Sequence, residues 1–211
     1  MTQDGRGHVL AHYAIDSQAA QKLDAYAALL AKWQRKINLV GSKTLAQLWT
    51  RHIWDSAQLG RYLPGAGSTQ SSPVILDIGS GAGLPGLILA ALTPAQVHSV
   101  ESDTRKIAFQ RQAVMAMKLS TKVVLHNKRI ETLPRFQSDV ITARAFASLP
   151  NILDMSVPFA TENTLWILPK GENVGSELEE ATKCWTFHVE QVHSETEDSA
   201  RILLLSDVRR R

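Results

Sequence analysis

Residues Leu76 to Gly86 read Leu-Asp-Ile-Gly-Ser-Gly-Ala-Gly-Leu-Pro-Gly, with four glycines in eight positions, and they follow a short apolar run that starts at Val74. A run of that length suits a parallel strand buried on both faces, and the apolar stretch continuing to Leu92 suits a helix. Glycines are needed where the chain turns tightly out of a strand and its backbone must approach a ligand more closely than a Cβ permits. Without a ligand they would cost conformational entropy for no packing return. A strand, a glycine loop and a helix together predict an α/β fold that binds its ligand at the carboxyl end of the first strand.

The remaining elements extend that pattern. Gln96 to Glu101 reads as a second strand, and Asp103 caps a helix running to about Leu119. Strands are expected at Lys122–Leu125, Asp139–Ala143 and Thr164–Leu168, with helices near Asn151–Phe159 and Val174–Lys183. Two further strands, Thr186–His193 and Arg201–Ser206, are separated by a segment too short for a crossover helix, so they should form an antiparallel hairpin. This order resembles the class I, Rossmann-like methyltransferase fold: a mostly parallel seven-stranded sheet ending in an antiparallel hairpin.

Ahead of it, residues 1–14 lack periodicity and are expected to be loose. Asp16 and Ser17 can cap an amphipathic helix carrying Leu23, Tyr26, Leu30, Trp33 and Ile37. Thr44 can cap a second, with Leu45, Leu48, Trp49, Ile53 and Leu59 on its buried side, and Leu63 to Pro73 reads as a linker. The expected organisation is an N-terminal helical extension, 1–62, and a ligand-binding domain, 63–211, in one compact unit.

The loop leaves two ligands open. Gly81 to Gly86 satisfies the dinucleotide fingerprint G-x-G-x-x-G, which is weak evidence alone. Asp77, Gly79, Gly81 and Gly83 fit the Asp-x-Gly-x-Gly-x-Gly form seen in methyltransferases. Together with the terminal hairpin and the lack of a second mononucleotide half, this favours S-adenosylmethionine. Glu101, placed 22 residues after Gly79, can accept both hydroxyls of a ribose.

Charge is distributed unevenly although the net value is only +3. Lys32, Arg35, Lys36, Lys43 and Arg51 fall in one window and Lys118, Lys122, Lys128, Arg129 and Arg135 in another, while Glu177, Glu179, Glu180, Glu195, Glu197 and Asp198 lie late. That asymmetry suits one phosphate-facing side, and equally suits ordinary solvated faces. The single cysteine, Cys184, has no partner for a disulfide and is expected to be a small buried apolar residue. No signal-like or membrane-spanning stretch is evident, so a cytoplasmic protein is expected.

Reaction types can be compared with the residues. Pyrimidine C5 methylation needs a nucleophilic cysteine, and Cys184 is far in order from the strand ends. Exocyclic-amine methylation usually employs Asn/Asp-Pro-Pro-aromatic after the fourth strand, where this chain reads Thr142-Ala143-Arg144-Ala145-Phe146. A ring nitrogen such as guanine N7 has a free lone pair and needs only alignment and exclusion of water. That chemistry is permitted rather than demonstrated by the lack of an obvious base.

Several separated segments, taken in order, resemble one family. They are Lys32-Trp33, Asn38-Leu39, Arg51-His52-Ile53-Trp54-Asp55-Ser56, the glycine loop, Val100-Glu101-Ser102, Lys106 to Phe109, Arg129-Ile130-Glu131, Ile141 to Leu149 and Lys170-Gly171. The set is similar to the bacterial glucose-inhibited division protein B family, the 16S ribosomal RNA guanine-N7 methyltransferases, from about Leu23 to Leu205. Val40-Gly41 departs from the Thr-Ser often found there, and the chain ends in three arginines.

The resemblance implies methylation of guanine 527, in the 530 loop of 16S rRNA, with S-adenosyl-L-methionine as donor and S-adenosyl-L-homocysteine as product. It implies donor contacts from Gly79, Gly81, Gly83, Leu84, Glu101, Ile130, Glu131 and Arg144. Arg51, His52, Asp55 and Lys170 are candidates for RNA binding, and Arg144 and Lys170 for positioning. Each has a plainer reading too: Arg51 and Asp55 as a surface ion pair, His52 as a satisfied core histidine, Arg144 as the partner of a structural carboxylate. Trp33, Trp49 and Trp54 are expected in the core. The expected partner is the small ribosomal subunit or its RNA, met by a monomer, with no membrane, DNA or metal involved.

Overall fold

A computed structural model describes residues 4–66 and 72–211. Seven strands form one sheet: β1 (Val74–Ile78), β2 (Gln96–Val100), β3 (Val123–His126), β4 (Val140–Thr142), β5 (Leu165–Lys170), β6 (Trp185–His193) and β7 (Arg201–Arg210). Their order is β3-β2-β1-β4-β5-β7-β6. β1 to β5 are mutually parallel, and β7 runs antiparallel between β5 and β6. The chain therefore has the expected fold class.

Alternation along each strand divides the core in two. Ile75, Val97, Val140, Ile167 and Ile202 face one cluster, which also holds the N-terminal residues Leu23, Tyr26, Leu30 and Ile53. Leu76, Ile141, Trp166, Leu168, Leu203 and Leu205 face the other. Helices α4 (Gly86–Leu92) and α5 (Thr104–Ala116) cover the first face; α6 (Leu149–Ser156) and α7 (Val174–Thr182) cover the second. The strand order reverses between β2-β1 and β4, so a crevice opens at the carboxyl ends of β1 and β4.

The N-terminal part departs from expectation in two places. Asp4–His12 is a helix, α1, rather than a loose end; residues 1–3 of that expectation lie outside the described residues. It is held by tertiary contacts instead of periodicity: Val9 is fully buried, Arg6 pairs with Asp24 at 2.6 Å, and His8 and His12 pack on Trp54. Helix α2 (Ser17–Trp33) forms as expected, with the Asp16 carboxylate accepting from the N–H of Ala19.

The second expected helix is an irregular run. It comprises a 3₁₀ segment Ser42–Gln47, a π turn Trp49–Trp54, a short α3 (Asp55–Ala57) and a 3₁₀ segment Gln58–Tyr62. Leu48, Trp49, Ile53 and Leu59 are buried as predicted, so the burial pattern was legible although its hydrogen bonding was not. Trp33 and Trp54 pack against the core only partly buried. Of the expected linker, residues 67–71 lie outside the described residues. Cys184 is exposed, because it stands at the corner between α7 and β6 where its carbonyl accepts from Arg211 N–H.

The hairpin tip, 194–200, grips the irregular run. Glu195 accepts from the Tyr13 hydroxyl at 2.7 Å and from Trp54 Nε1 at 2.8 Å, and it pairs with Arg61 and with His12. Burial pushes its carboxyl up, but the two hydrogen bonds and the charges of Arg61 and His12 outweigh this and leave its pKa below the ordinary value. A depressed acid pKa contributes stability above the unfolded pKa and loses it as pH falls through the folded one. Glu195→Gln is expected to lower the urea midpoint at pH 7 by an amount worth about 1–2 kcal/mol. The two unfolding curves should converge on acidification below the usual carboxylate range, and a difference constant with pH would contradict this role.

Candidate active site

The glycine turn is fixed from three sides. Ser80 N–H donates to the Val100 carbonyl at 3.1 Å, and Gly83 and Leu84 N–H both donate to the Ser80 carbonyl. From α5, the Gln110 amide donates to Ser80 Oγ and to the Gly81 carbonyl, while the Ser99 hydroxyl donates to Gln110 Oε1. From α2, the fully buried Tyr26 donates its hydroxyl to the Ala82 carbonyl at 2.8 Å. Tyr26, Ser99 and Gln110 were missed as site residues; no short-range signal marks them, since each acts across more than ten positions of sequence.

Three glycines are required by geometry: Gly83, with φ +75° and no room for a Cβ beside Leu87, and Gly79 and Gly86. Gly79 has φ +63°, and a Cβ there would lie 2.0 Å from Phe146 Cδ2. At Gly86 a Cβ would lie 2.6 Å from Asp77 Oδ2, the atom that accepts the Gly86 N–H at 3.0 Å. Asp77 thus ties the start of α4 to β1. Burial, partly offset by that hydrogen bond, pushes its carboxyl up to about 7.

A first cavity of about 420 Å³ opens beside this turn, within the size range of small-molecule sites. Its walls include Ile78, Gly79, Val100, Glu101, Ile130, Glu131 and Phe146, with Lys106, Lys128 and Arg129 among its cations. Glu101 is 8% exposed and accepts from Gly81 N–H at 3.0 Å and Asp103 N–H at 2.8 Å. A carboxylate offers about four acceptor positions, so capacity remains for two hydroxyls. Apolar walls for a flat base, an acid for a diol and a glycine without a side chain fit an adenosyl group.

The expected donor-binding residues therefore separate. Gly79, Glu101, Ile130 and Glu131 line this cavity. Gly81 and Gly83 shape the turn with positive φ, and Leu84 is buried in the core, 4% exposed; none of these three lines it.

Arg144 stands in a second, larger cavity of about 900 Å³, between the β4 and β5 loops, the irregular run and the hairpin tip. Its Nη1 donates to Asp55 Oδ2 at 3.0 Å and its Nη2 to His52 Nδ1 at 2.6 Å. Of the two readings of Arg144, the pairing with a structural carboxylate is the one seen here, and the guanidinium lines the second cavity and not the first. Arginine can only donate, so Nδ1 is the unprotonated nitrogen and Nε2–H donates to Thr44 Oγ1 at 2.8 Å. Burial, followed by the charges of Arg144 and Arg51, pushes the His52 pKa down to about 3, leaving a neutral ring.

Both oxygens of Asp55 are engaged, since its Oδ1 also accepts from Gln58 Nε2 and from the Thr196 hydroxyl. Arg51 pairs with Glu197 and not with Asp55, so the plainer reading of the two as an i,i+4 surface pair gives way to two longer-range pairs. Lys170, its side chain 7% exposed, donates to Glu177 Oε2 at 2.7 Å and to the Ala147 carbonyl. Arg51, His52, Asp55, Arg144 and Lys170 all line the second cavity, and Ala145 and Phe146 line both.

The family model described as GidB, rRNA small subunit methyltransferase G, matches residues 19–203. A protein of Rhodospirillum rubrum named ribosomal RNA small subunit methyltransferase G is 45% identical, over 93% of this chain and 94% of its own length. One of the same name from Methylobacterium nodulans is 41% identical over 99% and 98%. Among solved structures, Pyrococcus horikoshii TYW2 in complex with MeSAdo has a TM-score of 0.55 at 13% identity, covering 75% of this chain and 62% of that one, a likeness of fold alone. The antiparallel β7 and these matches remove the dinucleotide alternative left open by the glycine loop. With a family model covering most of its length and relatives aligned almost end to end, the chain belongs to the rRNA small subunit methyltransferase G (GidB) family.

Proposed function

We propose that this protein uses S-adenosyl-L-methionine to methylate N7 of a guanine in small-subunit ribosomal RNA, the guanine 527 position of the 530 loop. The observation that carries the reading is the pair of adjoining cavities, one suited to an adenosyl group and the other a larger polar space in which Arg51, Arg144 and Lys170 are held by Glu197, Asp55 and Glu177. The bound donor supplies an electrophilic methyl on a sulfonium.

The chain's own groups bind and orient. Glu101 holds the ribose hydroxyls, Ile78, Val100 and Ile130 enclose the base, and the Gly79 backbone borders the remainder of the donor. Arg144, fixed by Asp55 and His52, offers its remaining guanidinium N–H groups to the acceptor strand. The groups most able to remove a proton are committed elsewhere: His52 Nδ1 faces a guanidinium, and Asp55 already accepts three hydrogen bonds, one of them from that guanidinium. Guanine N7 attacks with a lone pair already free, so no base is needed, and alignment with exclusion of water suffices.

The compact unit acts as a monomer, since both cavities are built from one chain, with residues 1–62 serving as the wall of the acceptor side. No described helix is long and apolar enough to cross a membrane, in keeping with work on ribosomal RNA in the cytoplasm.

Tritiated donor and 30S particles test the proposal: label should enter 16S rRNA, and borohydride/aniline treatment should cut the chain at the labelled guanine. Label found in protein, or RNA resistant to cleavage, would overturn it. Calorimetry should show binding of S-adenosylmethionine and none of NAD.

A further inference from the structure

Phe146 is the only aromatic among the exposed large hydrophobic residues of the described chain, at 41% exposure. It follows Ala145, whose φ of +50° lies in the left-handed region that a side chain rarely adopts. Strained backbone at a ligand crevice persists where the surroundings hold it and the position has a use. Here the strained turn aims a hydrophobic ring towards open space, at a cost that packing alone does not explain.

The placement of that ring is specific. It lies directly over Gly79, in the space a Cβ would fill, at the mouth of the first cavity. Ala145 and Phe146 are also the residues common to both cavities. A group passing from a donor in one cavity to an acceptor in the other must cross beside this ring. The wall of the first cavity carries Lys106, Lys128 and Arg129, which can flank a phosphate beside the aromatic face, whereas Arg144 and Lys170 of the second are paired with Asp55 and Glu177. Enzymes that act on a base take it out of the stack and hold it against aromatic or apolar side chains, and every purine has a π face that such a ring can meet.

We propose that Phe146 is the stacking platform for the target base, the surface on which the purine rests where the two cavities meet. This rests on the reading of the chain as an rRNA methyltransferase. Phe146 is then a positioning residue of the acceptor side that also forms the wall between acceptor and donor.

The test compares the full-length protein with Phe146→Leu, Phe146→Tyr and Phe146→Met on 30S particles, with donor affinity measured separately by calorimetry. Phe146→Leu keeps an apolar side chain but no ring. It is expected to lower kcat/KM for the particle by roughly ten- to a hundred-fold, the range for loss of one base–aromatic stack, beyond any donor affinity it loses as a wall of the first cavity. Phe146→Tyr should restore most of the activity. Phe146→Met, also without a ring, should match leucine and serves as the comparison if leucine lowers the melting temperature.

Full activity in the leucine and methionine variants would overturn the stacking role while leaving the methyltransferase reading intact. A fall in kcat/KM no larger than the fall in donor affinity would overturn it too, by making the ring a wall of the donor site only. If the wild type transfers no label to ribosomal RNA, the reading of function fails, and the stacking role fails with it.

Discussion

Replacing Gly79 with alanine is expected to weaken S-adenosylmethionine binding by at least tenfold and to reduce methyl transfer in step. Two costs combine. A residue with a side chain held at φ +63° carries about 1–2 kcal/mol of backbone strain. Its Cβ would also sit 2.0 Å from Phe146 Cδ2, so the ring must leave its place or the turn must refold. Either response moves a wall of the first cavity, and 1.4 kcal/mol lost there is a factor of ten.

Gly81→Ala is the control. Its φ is also positive, at +56°, but a Cβ there meets nothing closer than the Gly79 carbonyl oxygen at 3.9 Å. It should show the strain as a modest loss of stability and a smaller loss of affinity. Calorimetric titration of both variants decides the matter; equal donor affinity in Gly79→Ala and wild type would contradict the assignment of this cavity.

Arg144→Ala should lower transfer to 30S particles by roughly tenfold or more and cost about 2–3 kcal/mol of stability. The loss of activity follows from removing a positioned, charge-assisted contact. The stability loss follows from stranding Asp55, whose side chain is 19% exposed, without its cation. The Gln58 and Thr196 hydrogen bonds to Asp55 remain and keep the cost below that of a fully orphaned acid.

Because Arg144 borders the second cavity and not the first, donor affinity should change by less than about threefold. A tenfold loss of donor affinity would instead support the donor contact implied by family resemblance. A double-mutant cycle with Asp55→Asn should show a coupling energy of at least about 1 kcal/mol between the two positions.

Much of the fold was legible because it rests on local pattern. β1 is read with its observed limits, since an apolar run bounded by proline and glycine leaves little choice. Glu101 could be placed because the βα repeat puts strand ends at predictable positions, whereas Ile130 and Glu131 come from the family resemblance; all three line the first cavity. The errors have a common cause. Helix α1, with two glycines, has almost no amphipathic signal and forms because Val9, His8 and His12 find partners elsewhere. The run from Ser42 changes its hydrogen-bonding period partway, which a fixed 3.6-residue template cannot register. Arg51 and Asp55 looked like partners at helical spacing, yet each is claimed by a residue at least 89 positions away. Pairings of that range leave no trace in a local window.

The position of β7 has a consequence for the chain while it is being made. This strand is inserted between β5 and β6, so five parallel strands can assemble before it exists, leaving β5 with a bare edge. That edge includes Trp166, Ile167 and Leu168, a short apolar template open to pairing with another copy. Until the hairpin arrives, Arg51 and Asp55 also lack Glu197 and Thr196. Ribosomes that stall before residue 196 would thus release fragments prone to aggregation and proteolysis, with an unfinished acceptor cavity.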